Sequence, residues 1–203
     1  MKKLLIMYLT ILPFLSFSQD QFISFLKSKN LPDCFAGLNE DQVDRLVTER
    51  ELRADWTSFT IDYKSDKEVL YLYTTSRCDD IEKIHLKYHV EKGVEYIFMF
   101  KEKSVSNDSY GRLKLYVKEG EEWTRGRRVE LTWQQLFNLS DKDIKRLRDA
   151  DQFPKYMIRF EEKHIMFDIP WKLYTFGEGS DNDGFSMSKA KQPVKFPYRY
   201  FIL

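Results

Sequence analysis

Histidine and cysteine are scarce in this chain, so few residues could act as metal ligands or nucleophiles. The 203 residues include three histidines and two cysteines. No Gly-x-Ser-x-Gly, P-loop or His-Glu-x-x-His pattern accompanies them. The local signatures of many hydrolases, nucleotide-binding proteins and zinc proteases are therefore missing. The sequence indicates no catalytic residue, no cofactor and no metal site.

An excess of charge of one sign is missing as well. The chain has 33 basic and 32 acidic side chains, for a formal net charge of +1. Loss of Lys2 and Lys3 with an N-terminal signal would change this value to −1. Domains that bind nucleic acid need a concentrated basic surface. Nucleic acid is therefore not an expected partner.

Long apolar runs are missing except at the N-terminus. Residues 4–17 form an apolar run behind Lys2 and Lys3, and the small residues Ser16 and Ser18 precede Gln19. This pattern is typical of a cleavable secretory signal, and the run is shorter than the roughly 20 residues that a membrane span needs. We predict a signal peptide over residues 1–18, cleavage before Gln19, and a secreted or periplasmic protein with no transmembrane segment after cleavage.

The two cysteines, Cys34 and Cys78, both follow the predicted signal. In an exported protein an even pair of cysteines is most simply one disulfide. Two buried free thiols are the alternative, because sequence does not reveal pairing geometry.

Two helices are predicted after the signal. The first covers residues 20–29, and the second follows a capping-box pattern formed by Asn39 and Gln42. The apolar positions of the second helix have helical spacing, and its stripe is expected to extend as far as Leu52. These positions are Val43, Leu46, Val47 and Leu52.

Alternation of apolar and polar residues predicts a series of strands from Trp56 onward. The clearest signal is the hairpin between Ile81 and Lys103, for which we expect one buried face. A polar loop is expected over residues 104–110, followed by one or two further strands. Five consecutive strands with short links indicate an antiparallel meander.

In the second half of the chain, the spacing of apolar residues predicts a helical insertion near residues 132–149 and a second hairpin over 156–169. Residues 177–192 have the composition of a mobile loop, and the apolar residues 196–203 predict a docked C-terminal strand. We therefore expect a single α+β domain over residues 19–203. Its core would be a curved, mainly antiparallel sheet of about seven or more strands, covered by helices.

His85 and His89 are the most obvious candidates for a metal site. On a helix, this spacing would place both rings on one face, where they could bind the same zinc ion, but the alternation around them predicts a strand. Strand spacing would place the two residues about 13 Å apart, too far for one ion.

Aromatic residues make up 16% of the chain, and most of them are expected in the core. Some could instead line a ligand cavity in the curved sheet. The candidate cavity residues are Tyr71, Tyr73, Tyr88, Tyr96, Phe98 and Phe100.

These features favour an exported, non-catalytic module that binds a small apolar ligand or a protein partner. The alternative is a small hydrolase with a dispersed carboxylate site that acts on cell-wall or glycan material, because dispersed sites leave no local motif. A third interpretation is a structural or inhibitory interaction protein that uses a basic face near Arg127.

Overall fold

The structure is a computed structural model, and it describes residues 19–28, 38–54, 57–76, 81–105, 108–136, 141–142, 144–145, 156–168 and 194–202. Its fold is α+β, with a mainly antiparallel sheet of seven strands, a three-stranded sheet and several helices. The predicted fold class is confirmed. The chain forms two compact units, the first from residues up to Lys101 together with Lys114–Arg128, the second from Glu102–Leu113 and Val129–Leu203.

Two helices precede the large sheet, as predicted. Helix α1 covers residues 19–27, and helix α2 covers Glu40–Glu49. The Asn39 side chain accepts a hydrogen bond from the backbone N–H of Gln42, and the Gln42 side chain accepts one from the backbone N–H of Asn39, both at 2.9 Å. The capping box read from the sequence is confirmed, and it satisfies two backbone donors at the start of α2.

Helix α2 ends at Arg50, whose backbone is left-handed with a φ of 62°. The chain then enters strand β1 at once, so Leu52 lies in a strand and the expected helical stripe ends before it. The prediction for Leu52 was wrong because a single left-handed residue is enough to end a helix. Leu52 is nevertheless buried.

The seven strands of the large sheet are neighbours in the order in which they occur in the sequence. Each of the pairs β1–β2, β2–β3 and β3–β4 is antiparallel. We did not predict β1 from the sequence. We expected a loop over residues 104–110, but β5 ends at residue 105 and β6 begins at residue 108. The strands are β1 (Glu51–Ala54), β2 (Thr57–Lys64), β3 (Val69–Ser76), β4 (Ile81–Glu91), β5 (Val94–Val105), β6 (Asp108–Glu119) and β7 (Glu122–Val129).

The predicted central hairpin is formed by β4 and β5. Its two-residue link, Lys92 and Gly93, has φ angles of 53° and 79°. Two consecutive positive φ angles are the requirement of a type I′ turn, whose twist matches that of the strands on either side. This turn fixes the register of the hairpin.

Strand β5 is buried on both faces, whereas we expected one buried face. Ile97 and Met99 point to one side of the sheet and Phe98 and Phe100 to the other, and none of the four side chains is more than 1% exposed. The prediction was wrong because residues 96–100 are apolar at every position. An uninterrupted apolar run is typical of a strand that is covered on both sides.

In the first unit, one face of the sheet packs against α1 and α2, and we call it the helix face. Phe22 of α1 makes edge-to-face contacts with Tyr63 and Tyr88, at centroid distances of 5.8 and 6.4 Å. Phe25 contacts Tyr116 in the same way at 4.9 Å. Full burial of each phenylalanine stabilises the fold by about 1.5–3 kcal/mol, so the aromatic residues of α1 hold that helix on the sheet.

The second unit contains the predicted second hairpin within a three-stranded antiparallel sheet of order β10–β9–β8. Phe167 lies at its centre, with ring contacts to Tyr156, Phe196 and Phe201. The expected C-terminal strand is only partly correct, because a helical turn follows β10. The elements are α3 (Trp133–Leu136), helical residues 141–142 and 144–145 (α4), β8 (Met157–Phe160), β9 (His164–Asp168), β10 (Val194–Pro197) and α5 (Arg199–Ile202).

Several predictions fall outside the described residues. They are the signal peptide over 1–18, the pairing of Cys34 with Cys78, the loop over 177–192 and the end of the helical insertion near 132–149. Within the described residues, no helix combines the length and the apolar character that crossing a membrane requires.

Candidate functional site

The six aromatic residues predicted to line a cavity do not share one face of the sheet. Tyr71 lies directly opposite His85 in the β3–β4 register, whereas the next pair along, Leu72 and Ile84, belongs to the helix face. Tyr88 also belongs to the helix face, where it contacts Phe22 of α1. By alternation the remaining five, Tyr71, Tyr73, Tyr96, Phe98 and Phe100, lie on the opposite face.

This opposite face carries a continuous row of rings, which we call the aromatic strip: Tyr73, Tyr71, His85 and Phe100. The rings of Tyr71 and Tyr73 are nearly parallel, with centroids 6.4 Å apart and an interplanar angle of 16°. His85 packs edge-on against Tyr71 at 4.9 Å and against Phe100 at 5.8 Å. Phe100 is fully buried, while the other three residues are half-buried. The strip therefore runs from the core towards solvent.

Charged residues of β1 and β2 lie beside the exposed end of the strip. Asp62 is the register partner of Tyr71, and its carboxylate lies 2.9 Å from the Lys64 ammonium. Their hydrogen bond raises the pKa of Lys64. Glu51 and Arg53 form a similar pair at 3.2 Å. Exposed pairs of this kind contribute little to stability, but they make the border of the strip polar and nearly neutral.

His85 and His89 lie on the same face of β4, separated by Lys87, as the strand interpretation predicted. The His89 ring packs against Phe98 at 6.3 Å, and its Nε2 atom lies 3.5 Å from a Glu91 carboxylate oxygen. Burial lowers the pKa of His89, and Glu91 opposes this effect. Among the described residues no three His, Cys, Asp or Glu side chains come together in a metal-binding group.

Lys87 is a buried cation that the sequence did not single out. Its side chain is 3% exposed, and its ammonium donates to the Lys67 carbonyl at 2.7 Å and to the Glu68 carboxylate at 3.1 Å. Glu68 itself has a positive φ of 49° in the turn between β2 and β3. These contacts hold that turn against β4, so we interpret Lys87 as structural.

A second polar group, which we call the Lys118 cluster, lies on the helix face. The Lys118 ammonium donates to Gln21 Oε1 at 2.7 Å and lies 3.6 Å from the Glu95 carboxylate and 5.9 Å from the Trp123 ring centroid. The Tyr88 hydroxyl donates to Glu95 at 3.0 Å. Burial raises the pKa of Tyr88, and this hydrogen bond raises it further. Sequence reasoning missed the cluster because its members are far apart in the chain; Lys118 and Gln21, for example, are 97 positions apart.

A depression lies between α1, α2 and strands β2 and β3. It contains about 320 Å³ of empty space, part of which is open to solvent. Polar and apolar atoms contribute about equally to its walls, which include one guanidinium and one amide, and none of the six predicted cavity residues lines it. We call it the α1–α2 depression; it is lined by Gln19, Ile23, Val47, Arg50, Ile61, Tyr63 and Leu70.

The remaining candidates of the sequence lie outside what the structure describes. Cys34 and Cys78 are not among the described residues, and the side chain of Arg127, in the basic face, is not described either.

Comparison of this chain with protein-family models, with curated proteins and with solved structures gave no match.

Proposed function

We propose that this protein is exported and that residues 19–203 form a non-catalytic module that binds a partner through the aromatic strip. The observation that carries this proposal is the pair Tyr71 and Tyr73. Their rings are nearly parallel and half-buried, whereas Phe22, Phe25 and Tyr88 on the helix face are buried.

The chemistry of the strip suits recognition of another protein. Tyrosine offers a large, rigid, apolar ring together with a hydroxyl group, and it is enriched at protein interfaces for this reason. The hydroxyl group of a tyrosine can hydrogen-bond to water or to a partner. The ion pairs Asp62–Lys64 and Glu51–Arg53 supply the polar border that surrounds the apolar centre of many interfaces.

A protein partner fits the strip better than a small apolar ligand. Small-molecule sites are concave and enclose most of their ligand, whereas Tyr71 and Tyr73 project side by side from the face of a sheet. The α1–α2 depression is a concave feature of the first unit, but none of the six aromatic residues predicted to line a cavity contributes to it. We therefore favour a protein partner at the strip.

The alternative proposal, a small hydrolase with a dispersed carboxylate site, gains little from the Lys118 cluster. Glycosidases need one carboxyl group that holds a proton and a second that is ionised. Glu95 instead contacts a cation, Lys118, and accepts a hydrogen bond from Tyr88. Among the described residues, the Lys118 cluster supplies this one carboxylate and not the pair of carboxyl groups that a glycosidase uses.

Site-specific crosslinking in cells that export the protein tests the binding proposal. A photoreactive phenylalanine analogue replaces Tyr73 in the full chain, and illumination of intact cells is followed by mass spectrometry of the products. We expect a defined adduct with one partner protein, and we expect Tyr71→Ser to reduce its yield.

The matched control is the same analogue in place of Tyr200. Tyr200 is also an exposed tyrosine, but it belongs to the second unit and is not part of the strip. The same adduct from both positions would show non-specific reaction, and no adduct from position 73 would contradict the proposed partner site.

Export has its own test. We expect the protein in the envelope or culture medium, shortened by residues 1–18, and we expect Ile11→Arg to trap the full-length chain in the cytoplasm because it interrupts the apolar run. Cytoplasmic wild-type protein of full length would contradict export.

A further inference from the structure

Gln19 combines two independent features. The sequence predicts cleavage immediately before it, so it would be the first residue of the exported chain. In the structure it is half-buried at the described start of α1, and its side chain lines the α1–α2 depression together with Arg50.

We propose that the exported chain carries an N-terminal lactam formed from Gln19, and that this ring lies in the α1–α2 depression. The inference rests on the proposed export. The free α-amine attacks the side-chain carbonyl carbon Cδ, an N–Cδ bond forms, the Cδ–Nε2 bond breaks, and ammonia leaves with a proton from the amine. The step needs no oxidant, reductant or cofactor.

The charges around Gln19 favour this reaction. After cleavage a free ammonium would lie at the N-terminal, positive end of α1, where cations are unfavourable. Arg50, in the wall of the same depression, adds a second positive charge. Asp20 is adjacent but exposed, so water screens its opposing effect. A destabilised ammonium gives up its proton more readily, which increases the fraction of nucleophilic amine.

The surroundings also suit the product. The lactam is neutral and compact and has both CH2 and amide groups, and the depression, lined by Ile23, Val47 and Ile61 among others, presents apolar and polar atoms in about equal measure. The first N–H groups of a helix have no partner within the helix. Tying the nitrogen of residue 19 into a ring therefore costs α1 no internal hydrogen bond.

Intact-mass spectrometry of the exported protein is the first test. We expect a chain that begins at residue 19 and has lost one ammonia. A chain that begins at Gln19 with a free amine would overturn the lactam and leave export standing. A chain that retains residues 1–18 would contradict cleavage before Gln19 and would therefore overturn the lactam as well.

A time course on the purified mature chain tests whether the fold takes part. The chain is released from a fusion so that Gln19 is its first residue, and ammonia loss is followed by mass in the folded protein and in urea. We expect faster loss in the folded protein, and we expect Arg50→Gln to slow it by about two- to five-fold. Equal rates in the folded and unfolded chains would overturn the role of the depression.

Thermal unfolding provides a readout of the product. Because ring closure removes a cation from the start of α1, we expect the unfolding midpoint to rise by about 1–4 °C once the reaction is complete. The Gln19→Ser chain cannot form the ring and serves as the control, with an unchanged midpoint over the same incubation. No rise in the Gln19 chain would contradict placement of the ring in the depression.

Discussion

Lys118 of strand β6 donates a 2.7 Å hydrogen bond to the side-chain oxygen of Gln21 in helix α1, across 97 positions of sequence. The bond is largely shielded from water, since the Lys118 side chain is 14% exposed. It places one end of α1 over the Lys118 cluster, while Phe22 and Phe25 pack into the core beside it. Helix α1 is therefore held by a polar contact as well as by its apolar face.

Lys118→Met is expected to loosen α1. The variant leaves Gln21 and Glu95 without the Lys118 ammonium, and loss of a shielded hydrogen bond to a charged group costs about 1–3 kcal/mol. Hydrogen exchange should become faster at the backbone amides of residues 22–28. Lys27→Met is the matched control, because Lys27 lies on the same helix but forms an exposed pair with Asp44. We expect that change to cost at most about 1 kcal/mol; equal effects of the two variants would refute the role of Lys118.

Removal of Glu68 should cost more than removal of its partner Lys87. Glu68→Gln removes an anionic neighbour from the buried Lys87 ammonium. This should lower the free energy of unfolding by about 1–2 kcal/mol. Lys87→Met removes the buried charge altogether and should cost about 0–1 kcal/mol. The double variant should then be no less stable than Glu68→Gln alone. Urea unfolding of the four proteins measures the coupling, and additive costs would show that the two residues act independently.

Stability should fall as the pH is lowered below about 6.5, in part because of His89. Burial lowers the pKa of His89 in the folded protein, so between that lowered value and about 6.5 the unfolded chain binds more protons than the folded one. The stabilisation is therefore complete above this window and is lost as the pH falls through it. His89→Gln should make the urea midpoint less dependent on pH between about 7.5 and 5.5. An unchanged dependence would contradict this role.

The β4–β5 turn offers one stabilising and one destabilising substitution. Lys92→Asn should stabilise the protein by about 0.5 kcal/mol, because asparagine adopts positive φ more readily than lysine. Gly93→Ala should destabilise it by about 1 kcal/mol. Nothing lies within 4 Å of an added Cβ at Gly93, so this cost comes from the backbone alone. Thermal unfolding measures both, and a neutral Gly93→Ala would show that the turn relaxes to another type.

Local patterns in the sequence determined much of the fold. Reciprocal side-chain to backbone bonds are local, so Asn39 and Gln42 revealed the start of α2. Period-two alternation revealed most strands of the meander, because side chains on a strand point to opposite faces in turn. The same alternation placed His85 and His89 on a strand and argued against a zinc site there.

Only the tertiary structure decided which face of the sheet is covered by helices and which distant residues come into contact. It separated Tyr88 from Tyr71 and Tyr73, because which face of a strand is covered depends on where α1 and α2 pack. It also brought Lys118 to Gln21 and placed Gln19 in the wall of the α1–α2 depression. Contacts between distant segments depend on how the whole chain closes, and no periodicity within a single segment records them.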